Sequence, residues 1–345
     1  MKNYLQVSGC PCGRSHDVAI DEVVVGSGVI RRIPDFVSKY HCVRPFILAD
    51  VNTFAAAGDQ VCAVLDEASI PYSRYIFPQN TLEPDEHAVG AAVMHFDPKC
   101  DLIIGVGSGV INDISKILSN LTGKPYIIVA TAPSMDGYAS SGAAMILGGM
   151  KVTVSAGVPA AIIADTDVLK NAPMEMIQAG YGDIVGKYSA LNDWRLSQIV
   201  NDEYFCPYIY DLTMEMVQKT LKLADGLLKR QEESVKVLME ALVIVGIAMS
   251  FAGSSRPASG SEHHLSHFFE ITGIVHGRPY LPHGIDVAFS SIVTAMLRQQ
   301  ILTQTPSLRT LDYAAWESTI RQVYGSVSQG VIDLQNKLDS YHIWG

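Results

Sequence analysis

The sequence predicts an α/β domain built on a parallel sheet, followed by an all-helical domain, with a cleft between them. Three observations carry this. Short continuous apolar runs alternate with helical stretches in the first half of the chain, the alternation stops at Asp165-Thr166-Asp167, and everything beyond reads with helical periodicity. A chain of 345 residues is too long for one small core. Domains usually hold roughly 100–200 residues, so two are expected, divided as 1–166 and 167–345.

Taken in order, Glu22-Val23-Val24-Val25 is the first strand and Pro45-Phe46-Ile47-Leu48-Ala49 the second. Asp101-Leu102-Ile103-Ile104-Gly105, Tyr126-Ile127-Ile128-Val129 and Ala161-Ile162-Ile163-Ala164 follow. Apolar runs of this kind, separated by helices, belong to parallel strands covered on both faces. Met145-Ile146-Leu147 and Met150-Lys151-Val152-Thr153-Val154 flank Gly148-Gly149, and a Gly-Gly loop permits the positive φ values that a primed hairpin turn needs. Beyond the boundary, Asn171-Ala172-Pro173 opens a helix. Gly180-Tyr181-Gly182 is expected to break it, so that Asp183 starts the next one. Val237 to Gly253 is the longest apolar run, but it carries Glu240 and falls short of the span of about 20 residues that a membrane requires. A buried helix is expected there, then a Ser/Gly/Pro-rich turn at 253–261 and further helices.

Composition removes whole classes of function. Hydrophobic residues make up 48% of the chain and charged residues 17%, which excludes disorder. The net charge of −10 repels phosphate backbones, so nucleic acid is not an expected partner. A small anionic substrate then needs cations or a metal gathered locally. The start MKNYLQVSGCPCG lacks the apolar core of a secretory signal, and neither export nor membrane insertion is expected. Six cysteines are scattered, which suits reduced thiols in a cytoplasmic protein. Cys10, Cys12 and His16 make at most half of a zinc site, because no second Cys pair follows at finger spacing.

Two turns read as ligand sites. Asp101 to Asp113 runs strand, Gly-rich turn, helix, and Gly105, Gly107 and Gly109 leave backbone N–H groups able to hold a pyrophosphate at the helix N-terminus. The spacing is not G-x-G-x-x-G and no Walker lysine follows, so this is neither an ordinary Rossmann fingerprint nor a P-loop. The second turn, Ala130 to Gly137, follows the next strand and offers Thr131, Ser134 and Asp136, with Ser140 beyond; its hydroxyls equally suit helix caps. Asp50 ends a strand. It can accept ribose hydroxyls and repel a 2′-phosphate, or simply cap the following helix.

Three histidines lie in Glu262-His263-His264-Leu265-Ser266-His267. His263 and His267 share one helix face, and His264 points about 100° away. His283 opens a later helix, and Asp183 offers a carboxylate. One Asp with two His is a catalytic-type set for a divalent metal, with a position left for water or substrate.

In combination these motifs resemble the sn-glycerol-1-phosphate dehydrogenase family, and its bacterial branch most. The likeness is carried by Gly105-Val-Gly-Ser-Gly-Val-Ile-Asn-Asp113, Thr131-Ala-Pro-Ser-Met-Asp-Gly137, Gly182-Asp183-Ile-Val, Ser255 through His267 and Pro282-His283-Gly284, in order from about residue 17 to 300. Val106 departs from it, standing where many relatives have a third glycine. The resemblance implies the fold of glycerol dehydrogenase and dehydroquinate synthase. It also implies reduction of dihydroxyacetone phosphate to sn-glycerol 1-phosphate with NADH or NADPH, a bound zinc or nickel ion, and a homodimer or higher homo-oligomer. Asp183, His263 and His283 match its metal ligands. Asp136 and His267 match substrate contacts, as does Asp183. Gly107, Gly109, Val110, Ile111, Asn112, Asp113, Thr131, Ala132, Pro133, Ser134, Ser140 and Asp50 match cofactor contacts, with NAD(H) preferred over NADP(H) on account of Asp50. For the substrate phosphate, Arg256 and Lys187 are the nearest cations in sequence. Alternatives on the same fold are a polyol dehydrogenase acting on an unphosphorylated substrate or a dehydroquinate-synthase-like lyase. A non-catalytic cofactor-binding protein is the third reading.

Overall fold

The computed structural model describes residues 4–305 and 310–339; the end of the expected helical part, 340–345, lies outside the described residues. The chain opens with two short strands, β1 (Gln6–Val7) and β2 (His16–Asp17), paired antiparallel. The main sheet follows as β3 (Glu22–Gly26), β4 (Pro45–Asp50), β5 (Ser73–Phe77), β6 (Leu102–Gly107) and β7 (Tyr126–Ala130). After the hairpin β8 (Gly142–Leu147) and β9 (Met150–Ser155), β10 (Ala161–Asp165) completes it. All five expected runs are strands of this sheet. Its order is β3-β10-β7-β6-β4-β5, with every pair parallel. Gly148 and Gly149 have φ of 57° and 79°, as the hairpin turn requires.

Side chains along each central strand alternate between two apolar layers, as the period of two dictates. Tyr126, Ile128 and Ala130 face one layer, and Ile127 and Val129 the other. The second layer is closed by α1 (Ile33–Lys39) and by α2 (Val51–Thr53), which runs through a π-turn into α3 (Asp59–Glu67). The first layer meets α4 (Glu86–His95) and α5 (Gly109–Thr122). The sequence reading missed β5. This edge strand starts Ser-Arg and is only partly buried, so it lacks the continuous apolar run that marked the others.

Only helices follow β10 among the described residues. They are α6 (Thr166–Leu169), α7 (Met174–Asn201), α8 (Pro207–Thr220), α9 (Ala224–Leu228) and α10 (Glu232–Ala252). Then come α11 (Ser261–His276), α12 (His283–Leu302), α13 (Tyr313–Tyr324) and α14 (Ser328–Asp339). The long apolar run is α10, which at 21 residues does not fall short of a membrane span, contrary to expectation; it is buried over most of its length, as a core helix is, and ends at Gly253 in the left-handed region. Its face continues the core that begins under the sheet.

One expectation fails. Gly180-Tyr181-Gly182 does not break a helix, because α7 passes straight through it and Asp183 sits mid-helix. Each interior glycine costs roughly 0.5–1 kcal/mol of helix stability relative to alanine. Packing explains both. A Cβ at 180 would lie 1.9 Å from the Pro133 carbonyl oxygen, and one at 182 would lie 2.4 Å from that of Gly284. The glycines let α7 approach the turn after β7 and the first turn of α12.

Candidate active site

The C-terminal edge of the sheet gathers the predicted cofactor residues. The chain moves outward from β4 to β5, returns to β6, and then proceeds the opposite way through β7. The switch point between β4 and β6 is where parallel α/β sheets bind ligands, and Asp50 and the Gly-rich turn both lie there. Gly107 is level with Ala130 in register, and the Thr131 N–H donates to the Gly107 carbonyl at 3.1 Å, so the two turns are zipped together. The Ser108 and Ser134 hydroxyls add a bond of 2.5 Å. The first N–H to bond within α5 is that of Asn112, to Ser108 at 2.9 Å. The N–H groups of Gly109, Val110 and Ile111 therefore lack intrahelical partners, which is the anion-binding end of a helix.

Other residues of the cofactor set have work inside the protein. A Cβ on Gly107 would meet Ile111 at 2.5 Å, so that glycine is required by helix packing. Asn112 is fully buried and donates to the Gly137 carbonyl at 3.3 Å. The Asp113 carboxylate pairs with Lys116 at 3.4 Å and accepts the Ala144 N–H. The Ser140 hydroxyl accepts from Lys116 at 3.2 Å. The Ala132 carbonyl accepts from Tyr138, and that of Pro133 faces Gly180. Asp50 is an N-cap: its Oδ1 accepts from the N–H groups of Asn52 and Thr53 at 2.8 and 2.9 Å. Its Oδ2 has no such bond among the described residues.

Beside this edge, α7, α11 and α12 bring Asp183, His263 and His283 together, with donor atoms all within 4.8 Å of one another. The Nε2 of His263 lies 3.8 Å from Asp183 Oδ1, and the two imidazole centroids are 5.1 Å apart. Glu262 holds His263 Nδ1 at 2.7 Å, and Glu270 holds His283 Nδ1 at 3.0 Å. A carboxylate at Nδ1 keeps the proton there and leaves the Nε2 lone pair for a ligand, the usual support of a metal-binding histidine. His267 is tied to Glu270 at 2.8 Å, and its ring stands 6.0 Å from that of His263 and 5.5 Å from that of His283. With 38% of its side chain exposed it occupies the open side of the cluster, while His264 points away into solvent.

The turn after β7 joins the two halves. The Asp136 N–H donates to Asp183 Oδ2 at 3.0 Å, and buried Lys187 bridges Asp183 Oδ1 at 2.5 Å and Asp136 Oδ2 at 2.7 Å. Burial opposes the charge on Asp183, but Lys187 and the neighbouring histidines outweigh it and hold that carboxyl below its ordinary range. Burial and the charge of Asp183 push Asp136 upward instead, against the pull of Lys187. Two carboxyls so separated suit one constant anion and one group that can carry a proton. Burial, together with Lys187 and His283, drives His263 well below its usual range, so it stands as a neutral imidazole. Burial also lowers His267, against the pull of Glu270.

This arrangement corrects the phosphate candidates. Lys187 has no exposed surface and is spent on two carboxylates, and Arg256 pairs with Glu203 at 2.8 Å. A further cation at the cluster is Lys151 of β9, 2.7 Å from Glu270. Sequence reasoning also passed over Glu262 and Glu270. The signals were present: Glu262 adjoins His263, Glu270 is three residues beyond His267, and Lys187 is one helical turn beyond Asp183. The donor set of one carboxylate and two neutral imidazoles fits a divalent ion of the zinc or late transition-metal type.

Comparison with known proteins finds similar dehydrogenases. A family profile described as iron-containing alcohol dehydrogenase matches residues 24–173. A glycerol-1-phosphate dehydrogenase of Halalkalibacterium halodurans, named as using NAD(P)+, is 37% identical over 294 residues, 84% of this chain and 74% of its own. A namesake from Methanosarcina barkeri is 36% identical over 247 residues, 71% and 68% of the two chains. Among solved structures, a glycerol dehydrogenase from Schizosaccharomyces pombe superposes with a TM-score of 0.67 at 20% identity, covering 81% of this chain and 71% of that one.

Proposed function

The chain belongs to the glycerol-1-phosphate dehydrogenase family, and from that premise we infer that it interconverts dihydroxyacetone phosphate and sn-glycerol 1-phosphate with NAD(P)H. The observation that carries the reading is the contact between the turn after β7 and the cluster. Asp136 is bonded to Asp183, so a nicotinamide held at the sheet edge would lie beside the three-helix cluster.

In this reading residues 1–166 bind the dinucleotide, and 167–345 the metal and substrate; the end of the last sheet strand at Asp165 supports that division. The N–H groups of Gly109, Val110 and Ile111 would receive the pyrophosphate. Asp50 would accept ribose hydroxyls through Oδ2 and repel a 2′-phosphate, which favours NAD(H). Asp183, His263 and His283 would hold zinc or nickel, which when bound polarises the substrate C2 carbonyl. The cofactor supplies the hydride, and the protein fixes distance and face. Asp136, pushed toward its protonated form, and His267 on the open side would orient the substrate and deliver the proton to the new hydroxyl. Lys151 would meet the phosphate. Exposed Tyr188, Leu196 and Ile199 on α7, with Phe289, Ile292 and Met296 on α12, support self-association as a homodimer. Six cysteines without a disulfide suit a cytoplasmic location.

The test is NADH oxidation with dihydroxyacetone phosphate, with chiral assignment of the product. Release of sn-glycerol 1-phosphate is expected. Equal efficiency with free dihydroxyacetone would move the assignment to a polyol dehydrogenase.

A further inference from the structure

A second cluster of metal-type donors lies apart from the active-site residues, at the N-terminus. Cys10 and Cys12 stand in the loop between β1 and β2, His16 is the first residue of β2, and Cys206 is the N-cap of α8. Their donor atoms all lie within 4.8 Å of one another. Cys10 Sγ is 3.5 Å from Cys206 Sγ, and His16 Nε2 is 3.3 Å from Cys12 Sγ and 3.5 Å from Cys206 Sγ.

Those separations can be compared with three of the six edges of a coordination tetrahedron. With Zn–S near 2.3 Å and Zn–N near 2.0–2.1 Å, tetrahedral edges come to about 3.8 Å between sulfurs and about 3.5 Å between sulfur and nitrogen. Each observed edge is within about 0.3 Å of this. Without an ion the arrangement has little to hold it, because thiols are weak donors and weak acceptors. Three thiols and an imidazole, drawn from segments 190 residues apart and buried except for the half-buried Cys12, would stand together with no strong bond among them.

We propose that Cys10, Cys12, His16 and Cys206 form a structural site for a tetrahedral divalent cation of the zinc type, clamping the N-terminal hairpin onto the start of α8. The set is closed: four protein ligands leave no open position, in contrast to the catalytic cluster. His16 and Cys206 are buried, and the His16 ring packs against Phe251 at 5.3 Å. The Tyr204 hydroxyl lies 3.4 Å from Cys12 Sγ, and the Arg14 guanidinium stacks 3.5 Å over the Tyr204 ring. That cation offsets the single negative charge that three thiolates and a dication leave. The need is equally clear, since β1 and β2 are two residues each and a two-stranded hairpin is marginal on its own. The sequence showed only three of the four ligands, because the fourth comes from the helical half of the chain.

The test uses the full-length protein purified under reducing conditions and reads thiolate ligation, which the Asp/His cluster cannot supply. Two metal equivalents per chain are expected, one of them released by a thiol-specific mercurial. After cobalt loading, the spectrum should show thiolate-to-cobalt charge transfer in the near ultraviolet. Cys206→Ser and Cys10→Ser should each lose one equivalent and that absorption, whereas His263→Ala should keep it. Should either cysteine variant fail to fold, the mercurial release and the cobalt spectrum of the unmodified protein still decide. Wild-type protein without a thiolate signature would overturn the proposal. So would a Cys10–Cys206 disulfide in place of metal, or an unchanged metal count in Cys206→Ser.

Discussion

Replacing Gly182 by alanine perturbs the active-site cluster through a close backbone contact between α7 and α12, without touching a candidate ligand. The new Cβ would lie 2.4 Å from the Gly284 carbonyl oxygen and 2.8 Å from the Ala288 Cβ. Ordinary contact begins near 3.4 Å, so the first turn of α12 must retreat by about 1 Å. His283 is the residue before Gly284 and moves with it, while Asp183 follows Gly182 on α7 and stays. Metal–ligand distances tolerate only about 0.2 Å, so the retreat opens the site. Overpacking of this kind costs roughly 1–3 kcal/mol. The expected outcome is a thermal midpoint lower by a few degrees, together with loss of the active-site ion and a kcat/KM reduced about 100-fold or more, the usual scale for an ångström of misplacement. Differential scanning calorimetry, elemental analysis and NADH oxidation measure the three effects. Gly90→Ala in α4 is the control: nothing lies within 4 Å of its Cβ, and it should be neutral or slightly stabilising. Full metal content and full activity in Gly182→Ala would refute the claim that this contact sets the distance between Asp183 and His283.

Three further outcomes are expected. His263→Ala should lose both the active-site metal and turnover, whereas His267→Ala should keep its metal while KM rises or kcat falls; metal content of the two variants, read by elemental analysis, would invert the assignment if the pattern were reversed. Asp50→Ser should narrow the gap between NADH and NADPH in kcat/KM at little cost in stability, because serine also caps a helix; an unchanged ratio would remove Asp50 from cofactor selection. Lys151→Ala should raise KM for dihydroxyacetone phosphate by roughly tenfold or more, the worth of a charge-assisted hydrogen bond. With free dihydroxyacetone the same variant should behave as wild type, and an equal loss on both substrates would mean that Lys151 acts only by holding Glu270.

By itself the sequence determined what neighbouring residues decide together. Five of the six strands of the main sheet were legible because each is an apolar run bounded by turn residues, and α10 because its apolar stretch reads as one long helix, whereas its burial in the core was decided by packing. The Gly-rich turn, the His263–His267 face and the position of His283 could be read for the same reason, since strand and helix periods act over a few residues. The tertiary structure alone decided the rest. Gly180 and Gly182 looked like a helix break because glycine's local cost is visible in sequence, while the carbonyls of Pro133 and Gly284 that require it are not. Lys187 looked like a free cation until the continuous α7 set it between Asp136 and Asp183. Glu270 became the shared anchor of His267 and His283 only when α11 met α12, and Cys206 joined the N-terminal cysteines only when α8 packed beneath the hairpin. Backbone conformation is biased residue by residue, whereas a side chain's charge state and ligands depend on whichever distant segments share its burial.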